Sequence, residues 1–176
     1  MNMKNGFVLP TVLLFMQLFA LLGLYCLQAA RMEWKMNRDE WQYRQYEWKA
    51  FSLLHDLEDT FHDATCNAPL MSTAELVKKP DLWWELSSCG GNLAGNQYYY
   101  VVEFLGSDPC ATILVEGNQK TTAAFYRVTL RFLPEKNRNI KILLQSTIAL
   151  PNDDASLCAD QSHVVVAGRQ MWRRIG

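Results

Sequence analysis

The side chains able to do chemistry cluster first around residue 58. His55 and His62 lie seven residues apart, Asp59 falls between them, and Asp56, Glu58 and Asp63 surround the set. On a helix, two turns bring His55, Asp59 and His62 to one side, a donor set compatible with a divalent metal. The HExxH spacing of a zinc protease is absent. A run of acids near a helix end reads more simply as a solvated face, and that is the expectation here. Asn152, Asp153 and Asp154 offer oxygens to calcium but lack the alternating acids and the glycine of an EF-hand loop. No GxSxG elbow, phosphate-binding loop or dinucleotide fingerprint occurs. No spacing promotes a Ser and a His to a dyad. The chain is therefore read as a non-enzyme that needs no cofactor and no metal.

The elements that must position these residues begin with an apolar run. Residues 7–27, FVLPTVLLFMQLFALLGLYCL, follow a six-residue leader that carries Lys4 and ends in Gly6. The run is long enough to span a bilayer, which takes about 20 residues. Pro10 falls near the helix start, where a missing N–H is harmless. A secretory signal places its cleavage site after the apolar region. Here the one plausible processing point lies before it, at Gly6–Phe7. The positive-inside count sets Lys4 against Arg31, Lys35 and Arg38 and leans toward a cytoplasmic C-terminal part. The leader and the cysteines outweigh that count.

Of five cysteines, Cys26 lies inside the apolar run and reads as a small packed hydrophobe. Cys66, Cys89, Cys110 and Cys158 lie beyond it, an even set that in an exported domain indicates two disulfides. Four cysteines allow three connectivities, and the sequence does not choose among them. The preferred pairing is Cys66–Cys89, closing the loop after the helix, with Cys110–Cys158 pinning the C-terminal segment to a sheet. A zinc site is disfavoured because no CxxC pair occurs.

The chain has 176 residues and a formal net charge of −1, enough for one helix-anchored domain and no nucleic-acid-binding face over the whole chain. Residues 29–64 contain no Gly or Pro, so the helix is expected to continue through them. Trp34, Trp41 and Trp48 recur every seven residues, and Phe51, Leu54, Leu57 and Phe61 extend an apolar face. This aromatic stripe is expected to serve as core or subunit interface, with Tyr25 and Trp34 as further candidates for bilayer-interface anchors. Residues 66–97 read as irregular, with a short helix in MSTAELVKK capped by Ser72 and Glu75. Trp83 and Trp84 within it are expected to lie beneath a loop, or to divide between core and partner. Residues 97–105 read as a strand and GSDPCA as a turn, followed by a short strand ATILVEG. Residues 125–132 alternate, with Tyr126, Val128, Leu130 and Phe132 on one face and Arg127, Thr129 and Arg131 on the other. They pair with a return strand over 139–150 to give an antiparallel hairpin with one wetted face. Val164 to Val166 read as the last strand. Arg169, Arg173 and Arg174 make a basic end, expected to be solvated, with contact to DNA the weaker reading.

The leader ending in Gly6, the Phe7 start and the apolar run resemble the N-terminus of type IV pilins and type II secretion pseudopilins. The strand YRVT, its turn and the strand ending LLQST, preceded by QYYYVVEFLG, resemble the hairpin of PilX-type minor pilins. The resemblance implies an α+β pilin-like fold: a leader over 1–6, a membrane or filament-core helix over 7–28, its continuation over 29–64, and a disulfide-bonded β-domain over 65–176. It implies cleavage by a prepilin peptidase after Gly6 and N-methylation of Phe7. The usual glutamate of the family falls on Thr11, and Pro10 precedes it, departures that point away from a repeating major subunit. The implied function is a subunit of a tip or priming complex for pilus assembly, serving motility, adhesion or DNA uptake (competence). The implied partners are other minor pilins, the major pilin, the inner-membrane assembly platform and the inner membrane itself. The implied location is the inner membrane, with a periplasmic C-terminal domain, and then the pilus surface. The alternatives are a signal-anchored periplasmic scaffold and a minor pseudopilin of a secretion system.

Overall fold

The computed structural model describes residues 8–60, 66–115, 119–135, 140–152, 158 and 162–176. The expectations for Gly6, Phe7, Phe61, His62, Asp63, Asp153 and Asp154 lie outside the described residues. The chain divides into two compact units, Met1–Arg44 and Gln45–Gly176. The architecture is α+β, a long N-terminal helix followed by a sheet, and is compatible with a pilin-like fold.

The described part of the first unit is helical and belongs to α1 (Val8–Thr60). Pro10 is the third residue of α1, within the first turn, where no intrahelical donor is required. Exposed ion pairing supports the unit locally: Arg44 Nη2 donates to Glu40 Oε1 at 2.8 Å, and the Arg38 guanidinium stands 5.3 Å above the Trp34 ring.

The second unit holds the end of α1, two short helices and the sheet. The helices are α2 (Thr73–Lys78) and α3 (Asp81–Ser87). The strands are β1 (Cys89–Leu93), β2 (Asn96–Val115), β3 (Gln119–Leu133), β4 (Ile142–Asn152), β5 (His163–Val164) and β6 (Gly168–Arg174). Among the described residues the order is β1-β2-β3-β4-β6, all antiparallel, with β5 pairing parallel to β2. The expected hairpin is present as β3–β4, with Thr122 opposite Asn152 and Phe132 opposite Ile142.

Three local expectations are corrected. GSDPCA is no turn: β2 runs straight through it, with register shifts between Phe104 and Gly106 and between Asp108 and Thr112. The first shift leaves Leu105 unopposed and the second leaves residues 109–111 unopposed on β3, among them Pro109, which has no N–H for a regular ladder, and Asp108 Oδ1 accepts the Cys110 N–H at 2.8 Å. Residues 66–97 are largely regular rather than irregular. Ala94 (φ 50°) and Gly95 (φ 84°) form a two-residue turn between Leu93 and Asn96, so β1 and β2 are a hairpin. An Ala-Gly pair is an uncommon sequence for such a turn, which hid it. The last strand is β6, beyond the Val164–Val166 segment expected for it.

Directly opposed residues on neighbouring strands share a face of the sheet. Val102, Val128, Ser146 and Trp172 make one such row, and Tyr100, Leu130, Leu144 and Arg174 another. Trp172 meets Phe51 of α1 with ring centroids 5.0 Å apart, so this face receives α1, whose Ala50, Leu53, Leu54 and Leu57 are buried. The opposite face carries Arg127, Thr129 and Arg131, which were expected to be wet. Thr129 and Arg131 are instead buried, because residues 66–88 fold over that face as a strap. Leu76 of α2 and Trp84 of α3 pack there on Val101 and Leu143. Ser72 caps α2 as expected: its hydroxyl accepts the Glu75 N–H at 3.2 Å, and the Ser72 N–H donates to the Glu75 carboxylate at 2.8 Å.

Candidate functional site

The N-terminal stretch of α1 carries an apolar surface. Leu9, Leu13, Phe15, Leu18, Phe19, Leu22 and Leu27 are all exposed, and none of the most apolar window is buried. The helix is long and apolar enough to cross a membrane. Thr11 is half-buried within this stretch. Cys26 is free and exposed, contrary to the expectation of a packed hydrophobe.

Trp34, Trp41 and Trp48 are 67, 64 and 72% exposed, so none of the three belongs to the core of the described residues. In the second unit, Trp48 meets Phe51 edge-on at 6.2 Å, and Phe51 meets Trp172. Trp172 is itself partly exposed, so the three rings form an aromatic ladder that reaches solvent. Trp83 and Trp84 divide, though not beneath a loop. As adjacent residues of α3 they point about 100° apart, leaving Trp84 at 1% exposure and Trp83 half-buried. The Lys79 ammonium lies 5.1 Å from the Trp83 ring centroid.

Arg173 and Arg174 of the basic end are exposed, as expected of solvated charge, while Arg169 is half-buried. Arg169 grips buried Glu58 through Nε and Nη2 at 2.9 and 2.6 Å, with the Phe51 ring 4.8 Å beneath its guanidinium. Arg173 donates to Gln145 Oε1 at 2.7 Å and to Thr73 Oγ1 at 2.8 Å. Arg174 stands 3.6 Å from Glu47. These arginines tie the C-terminal strand to α1 and to the strap. Glu58 likewise leaves the expected solvated acidic face, because Arg169 desolvates and pairs it. His55 Nδ1 lies 3.8 Å from Glu58, and no group of His, Cys, Asp and Glu suited to a metal occurs among the described residues.

Sequence reading missed the centre of the strap face. Glu103 is fully buried and accepts from Arg127 Nε at 2.7 Å and Nη2 at 2.8 Å, while the Met71 N–H donates to it at 2.8 Å. Arg127 also donates to the Met71 carbonyl. The available signal was an acid set inside the apolar run YYYVVEFL, since an unpaired charge there would be costly. The disulfides are Cys66–Cys89 and Cys110–Cys158, with Cα–Cα distances of 5.5 and 4.8 Å. The first joins the two ends of the strap. The Tyr100 hydroxyl, 3.5 Å away, is the donor to Cys66 Sγ, because a disulfide sulfur carries no hydrogen. Burial raises the Tyr100 hydroxyl above the ordinary phenol range, with the neighbouring Tyr98 adding to the effect.

The fold is that of a disulfide-bonded α+β protein whose N-terminal helix is long and apolar enough to cross a membrane. No known family matches the chain, nor does any curated protein or solved structure.

Proposed function

We propose that this chain is a minor pilin of the PilX type: a subunit cleaved after Gly6, methylated on Phe7, and built into a tip or priming complex for pilus assembly. The observation that carries the reading is the helix Val8–Thr60, which starts as an exposed apolar segment just after the leader and ends as the packing helix of a disulfide-bonded sheet unit. Such a segment needs lipid or other apolar helices around it. The exposed Trp34, Trp41 and Trp48 suit contact with other subunits, including minor and major pilins.

Thr11 gives the subunit its place in the filament. In the family, the usual glutamate is held to pair with the N-terminal amine of a neighbour during addition. Threonine supplies no such charge, and an unpaired charge in a dry helical bundle costs several kcal/mol. A subunit without the glutamate suits the top of the filament, where no earlier subunit needs contacting. Thr11→Glu should then shift its incorporation or position, and unchanged incorporation would remove this argument.

The deciding experiment is intact mass and N-terminal sequencing of membrane-extracted protein, with and without the prepilin peptidase. The expected product begins at N-methylated Phe7. A chain still carrying Met1 beside an active peptidase would favour a signal-anchored periplasmic scaffold. Copurification with secretion components in place of pilus components would assign a pseudopilin.

A further inference from the structure

The first cations after the apolar run of α1 fall on one side of the helix. Ala29 and Ala30 close the run, and Arg31, Lys35 and Arg38 follow. At about 3.6 residues per turn these three lie within a sector of about 60°, with Trp34 on its flank. Glu33 and Glu40 fall roughly opposite, and Glu40 is already held by Arg44 at 2.8 Å. Residues 31–40 are all described and all exposed. Arg31, Lys35 and Arg38 take part in no ion pair among the described residues. Their charge is therefore open to whatever surrounds the helix at that level.

Depth along the helix decides what that is. Each residue adds about 1.5 Å, so Trp34 and Lys35 stand about 6–8 Å beyond Ala30. The headgroup layer outside the hydrocarbon core of a bilayer is about 5–8 Å thick on each side. Arg38 starts about 12 Å out, but helical side chains lean toward the N-terminus. Its guanidinium lies 5.3 Å above the Trp34 ring, which brings it one turn back toward the same layer. Asp39, on the flank of Lys35, starts farther out than any of these. A tryptophan at this depth is an interfacial anchor. The three cations beside it meet the layer that holds the lipid phosphates.

Charge separates the lipid classes. A zwitterionic headgroup carries its own ammonium beside the phosphate, so a protein cation gains little from it. An anionic headgroup carries an uncompensated phosphate, and a juxtamembrane cation is drawn to it within a Debye length of the surface. Guanidinium groups suit the purpose, since their planar fork matches phosphate oxygens in pairs. We propose that Arg31, Lys35 and Arg38, with Trp34 as the anchor beside them, bind the phosphates of anionic phospholipids where α1 leaves the bilayer. The proposal rests on α1 crossing a membrane and does not depend on the pilin reading.

The test uses the isotope-labelled full chain in phosphatidylcholine nanodiscs, with phosphatidylglycerol added as a rising share of the lipid. The NMR signals of residues 31–38, with the Trp34 indole, should shift and level off, and high salt should shrink the shift. Arg31→Gln, Lys35→Gln and Arg38→Gln together should raise the share needed for half the shift about fivefold or more. Arg44→Gln, outside the sector, should leave the response as it is. Entry of the triple variant into pure phosphatidylcholine discs shows that its helix still crosses the bilayer. The proposal is overturned if the signals of residues 31–38 do not move, or if the triple variant responds as the parent does. An equal response to inorganic phosphate in phosphatidylcholine discs would assign a soluble anion and overturn it as well. A parent chain that enters no disc would remove the membrane-crossing reading of α1 and the proposal with it.

Discussion

The two faces of the sheet are held by opposite physics. On the face that receives α1, the buried side chains are mainly apolar, Leu53, Leu54 and Leu57 of α1 and Val128, Leu130 and Leu144 of the sheet, with a single buried ion pair described there, Glu58–Arg169. On the strap face, the apolar cluster around Leu76 and Trp84 shares space with three polar clamps. These are Met71–Glu103–Arg127, Thr73–Gln145–Arg173, and Asp81 with Arg131 and Lys141. Apolar burial is non-directional and tolerates small slides. Hydrogen-bonded charges do not, so the second face can fix where the strap lies as well as that it lies there. A helix of six residues has little stability alone, so α2 depends on that docking.

Replacing one partner of the buried pair should have the largest effect. Glu103→Ala leaves Arg127 without its carboxylate and should cost about 3–5 kcal/mol, read from thermal unfolding of the full chain in micelles. Glu103→Leu with Arg127→Met should recover only part of the loss, because the Met71 N–H and carbonyl lose their partners. Full recovery would mean that the clamp adds no geometric information.

On the other face, Leu54→Ala should cost about 3 kcal/mol, within the usual span for a buried leucine. Its signature should be a general loss of hydrogen-exchange protection across β3 and β4. Protection lost in the strap alone would reverse the assignment of faces.

A smaller, local effect is expected for Ser72→Ala. Losing the capping box should cost about 1 kcal/mol and raise exchange chiefly in α2. Uniform loosening of the sheet would show that the cap does more than hold α2.

The smallest effect concerns acid. Hydrogen bonds from Lys141 and then Arg131 hold the Asp81 carboxyl below its ordinary range. A depressed carboxylate contributes stability above its unfolded value, and that contribution disappears as pH falls through the folded value. Asp81 is largely exposed, so the gain is modest. Asp81→Asn should therefore lower the unfolding midpoint slightly near pH 7 and by less at about pH 2, where more of the carboxyl is protonated. Equal losses at both values would place the effect in packing.

Much of this was legible beforehand where the signal is local. The run from Val8 to Leu27, the heptad-spaced tryptophans, the Ser72–Glu75 box and the alternation over 125–132 each declare an element through neighbours within one turn or one strand. The candidate site was legible only in its helical part. The clamp of Asp81 with Arg131 and Lys141 joins residues far apart in sequence, and no spacing between such positions announces it.

What the sequence determined by itself is the long apolar helix, the hairpin strands and the even set of cysteines, because periodicity and propensity act over a few residues. The tertiary structure alone decided that Thr129 and Arg131 are dry, that Arg169 spends its charge on Glu58, that β2 passes unbroken through Gly106 and Pro109, and which cysteines meet. Each of those outcomes depends on a partner distant in sequence. Burial and pairing are set by what the folded chain brings alongside, and alternation along one strand carries no record of it.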